Sequence, residues 1–213
     1  EQLTVGQVLE RMEAANARLV DLKADFKQTK VMALFDERII SQGKFYFLNP
    51  DKLVMEVLEP EHQQLIINYN HVWLHYPEMK QVHELSLKQT KGLSALFVGF
   101  GGSARDIRDQ FTVEIAGTQA LERGKTLYKL LLIPIEGTPA ASRALALEKV
   151  LLSVPSDRWY PVRSEIVQTN GDRSIYEYSN HELNLKLSES RFTFNPPDGT
   201  EVITHGAPGG ASE

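Results

Sequence analysis

Two histidines are the residues of this sequence whose type and spacing first suggest chemistry, because neutral imidazole is a common ligand of transition metals. His71 and His75 have the i, i+4 spacing that would place both rings on one face of a helix. The segment instead alternates in hydrophobicity and ends at Pro77, which predicts a strand. On a strand that spacing separates two residues by about 13 Å, too far for one zinc ion with bonds of about 2 Å. We therefore predict no metal site.

A glycine-rich motif, Gly99-Phe100-Gly101-Gly102-Ser103-Ala104, matches the letters of the dinucleotide fingerprint G-x-G-x-x-A. The fingerprint must follow a strand within a βαβ unit, whereas this motif follows a helical pattern, so we interpret it as a joint between two short helices. The segment 92–96 lacks the second glycine of a nucleophile elbow, and the chain has no cysteine. The 28 Asp and Glu residues leave a catalytic pair open, but no spacing singles one out. These observations favour a binding protein without a cofactor over an enzyme.

The composition narrows the class of protein further. The chain has 213 residues, of which 42% are hydrophobic and 24% charged, the balance of an ordered globular protein. The net charge is -5 and no block of Lys and Arg occurs, which argues against nucleic acid as a partner. No apolar run approaches the roughly 20 residues that span a bilayer. Because residue 1 is preceded by no basic or apolar leader, we expect either a cytosolic protein or one from which a signal peptide has been removed.

Hydrophobic periodicity predicts one helix followed by many strands. Thr4 and Gln7 form a capping box that begins an amphipathic helix, and its apolar stripe continues to Val20. A period of two then indicates 11 or 12 short strands, which favours an antiparallel sheet that curls or closes. The predicted strands are Lys23–Met32, Arg38–Leu48, Lys52–Glu59, Gln64–Asn68, Val72–Tyr76, Gln81–Leu85, Phe111–Ile115, Thr126–Ile133, Ala144–Val154, Arg158–Gln168, Ser174–Tyr178 and Arg191–Phe194.

The middle of the chain is predicted to be helical. Residues Thr90–Phe100 carry Leu93, Leu96, Phe97 and Phe100 at i, i+3, i+4 and i+7, which predicts a short helix with one apolar stripe. Ser103 and Asp106 form a second capping box, which opens a helix that ends near Gln110. We predict a single domain over residues 1–204 and a disordered tail over residues 205–213, which are rich in Gly, Ala, Pro and Ser.

The hairpin Gly43–Val57 is unusual because it is apolar on both faces. One parity carries Phe45, Phe47, Leu53, Met55 and Val57, and the other carries Tyr46, Leu48 and Val54. A half-buried strand would alternate apolar and polar residues. Either the sheet is covered on both sides, or one of its faces lines a cavity; the pattern alone leaves both alternatives open.

Four segments, in this order along the chain, resemble the LolA family of periplasmic lipoprotein carriers. They are Leu22-Lys23-Ala24-Asp25-Phe26-Lys27-Gln28-Thr29; Gly43-Lys44-Phe45-Tyr46-Phe47 leading to Asn49-Pro50; Glu59-Pro60 with Val72-Trp73-Leu74-His75-Tyr76-Pro77 and Lys80-Gln81-Val82; and Phe192-Thr193-Phe194-Asn195-Pro196-Pro197-Asp198-Gly199-Thr200-Glu201-Val202-Ile203.

The resemblance implies a mainly β fold, in which a strongly curved, incompletely closed antiparallel barrel carries helices as a plug or lid over its concave face. It implies a monomeric periplasmic carrier that takes acylated lipoproteins from an inner-membrane transporter to an outer-membrane acceptor. Under this interpretation the lid residues are Leu93, Leu96, Phe97 and Phe100. The lipid-binding wall is Phe26, Phe45, Phe47, Leu53, Met55, Val57, Leu65, Ile67 and Trp73.

One position departs from the family pattern. The residue before the hairpin proline is an arginine that holds the lid shut in the best-known LolA proteins, and here it is Asn49. Asparagine is short and uncharged and cannot replace a long forked donor. Either the lid closes differently, or the cargo differs, as in a carrier or sensor of a non-protein lipid. A LolB-like acceptor is a further alternative.

Overall fold

The computed structural model describes residues 3–87, 93–101, 103–141 and 146–205. Within these ranges α1 spans Val5–Asn16 and α2 spans Ala104–Gln110. The strands are β1 (Asp21–Met32), β2 (Glu37–Leu48), β3 (Lys52–Glu59), β4 (Gln63–Asn68), β5 (His71–Tyr76), β6 (Gln81–Ser86), β7 (Phe111–Ala120), β8 (Thr126–Pro134), β9 (Leu147–Pro155), β10 (Arg163–Gln168), β11 (Arg173–Leu183) and β12 (Glu201–Thr204).

In the described part of the chain the 12 strands form one sheet, in the order β12-β6-β5-β4-β3-β2-β1-β11-β10-β9-β8-β7. The neighbouring strands pair antiparallel except β12, which lies parallel to β6. The edge strands β7 and β12 are not paired with each other, so the curved sheet does not close into a complete barrel. This confirms the predicted fold class, although β12 is not among the strands predicted from the sequence.

Both predicted capping boxes are present and begin the two α-helices. Thr4 Oγ1 accepts a hydrogen bond from Gln7 N at 3.3 Å, and Thr4 N donates to Gln7 Oε1 at 2.9 Å. Ser103 and Asp106 make the same reciprocal pair at 3.1 and 2.8 Å. Each box satisfies backbone donors that would otherwise lack partners in the first turn of a helix.

Three predicted elements differ from the structure. The described part of the predicted helix Thr90–Phe100 is a 3₁₀ segment, Leu93–Phe97, and residues 90–92 lie outside the described ranges. The predicted strand Arg158–Gln168 begins only at Arg163, because Trp159 adopts a left-handed conformation with φ 59°. The prediction of a strand at Arg191–Phe194 is wrong, because Glu189–Phe192 forms a 3₁₀ turn that crosses the face of the sheet instead of pairing with a strand.

Two further predictions extend beyond the described residues. The predicted strand Ala144–Val154 corresponds to β9, which begins at Leu147, and its first two residues lie outside the described ranges. The predicted disordered tail also lies outside them from residue 206 onward, so it stays a prediction.

The sheet buries a separate apolar cluster on each face. The concave face carries the main core, which includes Phe45, Phe47 and Leu53. The convex face carries a smaller cluster around Tyr46, Val54 and Ile66. Residues 184–194, here called the strap, cover this convex cluster with the side chains of Leu187, Phe192 and Phe194. The hairpin Gly43–Val57 is therefore apolar on both parities because it is covered on both sides.

The strap is fixed by hydrogen bonds to a buried carboxylate. Asp21 is 0% exposed, and its oxygens accept from Leu185 N at 2.7 Å and from Leu187 N at 3.0 Å. Farther along, the Arg191 guanidinium lies 4.2 Å from the centre of the Tyr46 ring. A buried carboxylate that accepts backbone N–H bonds is satisfied only while the strap is in place, so the strap is a permanent part of the fold.

The bend of the sheet at the hairpin requires a glycine. The pairing of β2 with β3 shifts by a bulge between Gln42 and Gly43. A Cβ atom at Gly43 would lie 1.8 Å from the backbone oxygen of Glu56, which no side chain tolerates. A bulge of this kind increases local twist and bends the strand.

We predict that Phe192→Ala lowers the free energy of unfolding by about 3–5 kcal/mol, since it removes a large, fully buried side chain and leaves a cavity. Phe192 is 0% exposed in the convex cluster. Phe35→Ala is the matched control, because Phe35 is 67% exposed and its loss should change the stability by no more than about 0.5 kcal/mol. Urea unfolding of both variants tests this, and equal destabilisation would contradict it.

Candidate functional site

Six of the nine predicted wall residues are buried together on the concave face. They lie in the main core with no more than 3% of their surface exposed: Phe26, Phe45, Phe47, Leu53, Met55 and Ile67. Strand register explains this grouping, since Phe45 lies opposite Met55 and Phe47 opposite Leu53, and Leu53 lies opposite Ile67 on the next strand. Directly opposed residues share a face of the sheet, so the period of two places them on one wall.

Val57 and Leu65 are partly buried and pack against the same core. The prediction for Trp73 is wrong, because Trp73 lies opposite Ile66 and belongs to the convex cluster, where it contacts Phe194 with ring centres 6.4 Å apart. In β5 the residue that faces the wall is Val72, which lies opposite Ile67. A shift of one residue along a strand exchanges the two faces.

The predicted lid covers the wall directly. Leu96 and Phe100 are each 1% exposed in the main core, and Phe97 is partly buried against it. The Phe100 ring lies 5.4 Å from Phe45 and 5.9 Å from Phe47, measured between ring centres. The backbone of Leu93 belongs to the same 3₁₀ segment, but its side chain lies outside the described part of the structure. We use the name lid for residues 93–101.

A second half of the wall was missed at the sequence level. It is formed by β8 and β9, whose inward residues are Leu130, Leu132, Val150, Leu152 and Val154. Helix α1 fills the space between the two halves with Val8, Leu9 and Met12, all no more than 1% exposed. Apolar residues at every second position of β8 and β9 were a usable signal, but only the curvature of the sheet shows that these strands face the hairpin.

At the position of the family arginine, the Asn49 side-chain amide donates its hydrogen bonds to the end of α1 and not to the lid. Asn49 Nδ2 donates to the backbone oxygens of Asn16 at 3.1 Å and of Leu19 at 2.7 Å, at the end of α1. The hydrogen bonds to the lid come from Asn16, whose Nδ2 donates to Gly101 O at 3.2 Å and to Gly99 O at 3.4 Å. Asn49 thus holds the end of α1, and the adjacent Asn16 holds the lid. Nothing in the sequence pattern singled out Asn16.

The glycine at the end of the lid fits closely over the hairpin turn. Gly101 has φ 66°, a left-handed conformation that glycine adopts without strain. A Cβ atom added there would lie 2.9 Å from the backbone oxygen of Pro50 and 3.1 Å from Asn49 Oδ1. The lid therefore reaches the turn that would carry the family arginine, but only a residue without a side chain can pass this close to it.

An open groove lies on the outer side of the lid. Its volume is about 790 Å³, and it runs between the lid, α2 and the loop before β9. The lining residues include Phe97, Phe100, Ile107, Phe111 and Leu147. None of the predicted wall residues lines the groove, because lid and α1 side chains already cover them. In this structure the apolar wall is therefore covered.

The charged side chains among the described lining residues of the groove are acidic. Burial raises the pKa of the Asp51 carboxyl, although Lys52 opposes the shift. The Ser103 backbone N–H lowers the pKa of Asp106, and the Ser103 hydroxyl adds to this. Among the described residues that line the groove there are these two carboxylates and no Lys, Arg or His. A ligand in the groove meets apolar surface with a negative local charge.

The described residues hold no cluster of three or more His, Asp or Glu side chains that could bind a metal ion. The motif at Gly99–Ala104 connects the lid to the seven-residue helix α2, so it is a joint between helical segments as predicted. Among the described helices none is long and apolar enough to cross a membrane.

Comparison with known proteins agrees with these features. Residues 18–195 match the family model described as "Outer membrane lipoprotein carrier protein LolA". The outer-membrane lipoprotein carrier protein of Methylibium petroleiphilum is 29% identical over 85% of this chain and 81% of its own length. An uncharacterized protein of Methanocaldococcus jannaschii is 23% identical over 97% of this chain, which spans 56% of that relative's length.

Among solved structures, an uncharacterized conserved protein from Thermus thermophilus has the same fold. It superposes with a TM-score of 0.58 at 15% sequence identity, over 94% of this chain and 98% of its own. At this identity the likeness concerns the fold alone.

We predict that Asn16→Ala loosens the lid selectively. Two hydrogen bonds from its side chain are lost, each worth about 1 kcal/mol, so the amides of Val98 and Phe100 should exchange with solvent roughly tenfold faster or more. Hydrogen exchange followed by mass spectrometry tests this, with Asn195→Ala as the control because Asn195 is exposed. Unchanged protection of the lid in Asn16→Ala would show that side-chain packing alone holds it.

Proposed function

The chain belongs to the LolA family, and from this premise we propose that it carries the acyl chains of lipoproteins on its concave wall. Each acyl methylene left in water costs about 0.8 kcal/mol, so a lipid anchor cannot cross an aqueous compartment without a cover. The observation that carries the proposal is a continuous apolar wall covered by a separate short segment. This function needs no catalytic group, and we propose a carrier and not an enzyme.

The contacts of the lid support a cover that can move. The backbone hydrogen bonds of its described residues are local, from Val98 N to Ala95 O and from Phe100 N to Phe97 O. Its described links to the rest of the fold are side-chain packing and the two bonds from Asn16. An acyl chain that displaces the lid therefore replaces one set of apolar contacts with another. The net free energy of binding stays moderate, which allows release.

The charge of the groove favours an acylated protein over an anionic lipid. A phosphate-bearing headgroup in the groove beside the lid would meet Asp51 and Asp106 and no cation among the described lining residues. Like charges at short range in a partly apolar site are unfavourable. The absence of the family arginine is therefore explained by a different latch, Asn16, and does not by itself require a different cargo.

The direction of transport and its compartment belong to the same proposal. We propose a monomer in the periplasm that receives lipoprotein from an inner-membrane transporter and delivers it to an outer-membrane acceptor. The match to outer-membrane lipoprotein carrier proteins supports this route.

The two tryptophans test where the acyl chain binds. Trp159 packs against the concave core and stacks on Tyr128 with ring centres 5.7 Å apart, whereas Trp73 lies on the convex face. A synthetic diacylated cysteinyl peptide with a nitroxide on one acyl chain should quench Trp159 in the Trp73→Phe variant. It should leave Trp73 in the Trp159→Phe variant largely unquenched, because nitroxide quenching acts only over short range.

The same peptide without acyl chains is the control and should quench neither tryptophan. Equal quenching of the two tryptophans would contradict binding on the concave wall. No binding of the acylated peptide would overturn the carrier proposal.

The route is tested separately with spheroplasts that hold radiolabelled lipoprotein in their inner membrane. The purified protein should release lipoprotein into solution as a soluble complex. An established LolA protein assayed in parallel is the control. If that protein releases lipoprotein and this one does not, the proposed direction is wrong even where the peptide binds.

A further inference from the structure

The turn between β1 and β2 exposes large apolar side chains that the carrier function leaves unexplained. Leu34 is 84% and Phe35 67% exposed, and on the adjoining part of β2 Ile40 is 55% and Ile39 38% exposed. Single exposed apolar residues are normal on protein surfaces, but adjacent ones at a turn form a patch. We call residues 32–40 the hairpin tip.

The hairpin tip extends beyond the neighbouring sheet on one side. β2 pairs with β3 only from Gln42 onward, so Glu37–Ser41 pair with β1 but have no partner on the β3 side. The tip lies at the opposite end of β2 from the Asn49 turn, about 40 Å away at 3.3 Å per residue. It is therefore separate from the contacts between Asn49, α1 and the lid.

The base of the tip is held in place by the β10–β11 turn. Ala33 N donates to Asp172 Oδ1 at 2.9 Å, and a Cβ atom on Gly171 would lie 3.1 Å from Ala33 Cβ. These contacts fix the backbone at Ala33 and leave the side chains of Leu34 and Phe35 in solvent. Because the backbone at Leu34 and Phe35 is already fixed, little conformational entropy is lost when these side chains are buried against another surface.

The distribution of the apolar residues indicates what that surface is. Ile39 and Ile40 are consecutive on a strand and so point to opposite faces of the hairpin, and both are exposed. A groove on a protein would cover one face of the hairpin, whereas a bilayer surrounds an inserted tip on all sides. Charged residues of both signs lie in or next to the hairpin tip and are exposed: Lys30, Asp36, Glu37 and Arg38.

We infer that the hairpin tip inserts into the interfacial region of a lipid bilayer, with Leu34 and Phe35 below the headgroups and the flanking charges among them. The apolar surface of two side chains gives weak, reversible attachment, as required of a protein that must leave the membrane again. The inference goes beyond the proposed cargo site, since it concerns a different surface and needs no cargo.

The test is sedimentation of the purified protein with vesicles of phosphatidylethanolamine and phosphatidylglycerol. The variant Leu34→Ser/Phe35→Ser should bind at least about tenfold more weakly, because the loss of one buried Leu or Phe side chain alone corresponds to about a factor of ten. Met79→Ser is the matched control: Met79 is 64% exposed in the β5–β6 turn, and this variant should bind vesicles as the unchanged protein does.

Insertion is measured directly with Phe35→Trp in a background that carries Trp73→Phe and Trp159→Phe. The new tryptophan should shift its emission to shorter wavelength with vesicles and should be quenched by lipids brominated on their acyl chains. Vesicle binding that is absent, or equal in the double serine variant and the unchanged protein, would overturn the inference. The inference would also be overturned if the emission of the new tryptophan changed when another protein was added but not when lipid vesicles were added. None of these outcomes bears on the acyl-peptide assay, which uses no membranes.

Discussion

The structure depends on one constraint, the need to cover a large apolar wall on the concave side of a curved sheet. The sheet brings β2–β4 to face β8 and β9, and both halves are lined by aromatic or branched aliphatic side chains. Such a surface cannot stay open to water. Helix α1 and the lid fill it, so the wall that we propose as the acyl-chain site is also the surface whose burial stabilises the fold.

The two faces of the hairpin are covered in physically different ways. On the convex side the strap is bound through its backbone to the buried carboxylate of Asp21. On the concave side the lid contributes side chains and is bound at its end by the amide of Asn16. Removing the strap would leave a buried charge without partners, whereas removing the lid exchanges apolar contacts with whatever replaces it. The convex cover is therefore bound through its backbone, and the concave cover is the one that we propose cargo displaces.

Hydrogen bonds link the hairpin turn to the lid through the end of α1. The side-chain amide of Asn49 donates its hydrogen bonds to the carbonyl groups at the end of α1, and none of them to the lid. That contact fixes Asn16, whose own side chain reaches Gly99 and Gly101. Two short amides in series thus connect the hairpin turn to the lid. The glycine at position 101 is part of the same arrangement, because a side chain there would meet Pro50.

The sequence by itself determined the elements whose signals are local. Both capping boxes, the strand periodicity, the family resemblance and the apolar stripe that buries Leu96 and Phe100 could be predicted from it, because each depends on residues close together in the chain. Only the tertiary structure decided which covers lie on which face. Trp73 was assigned to the wrong face because a strand of six residues does not reveal its register. Asn16 and the strap were missed because their partners lie 83 or more positions away in the sequence. Contacts of that range leave no local pattern, since they arise only when the sheet curves and brings its ends together.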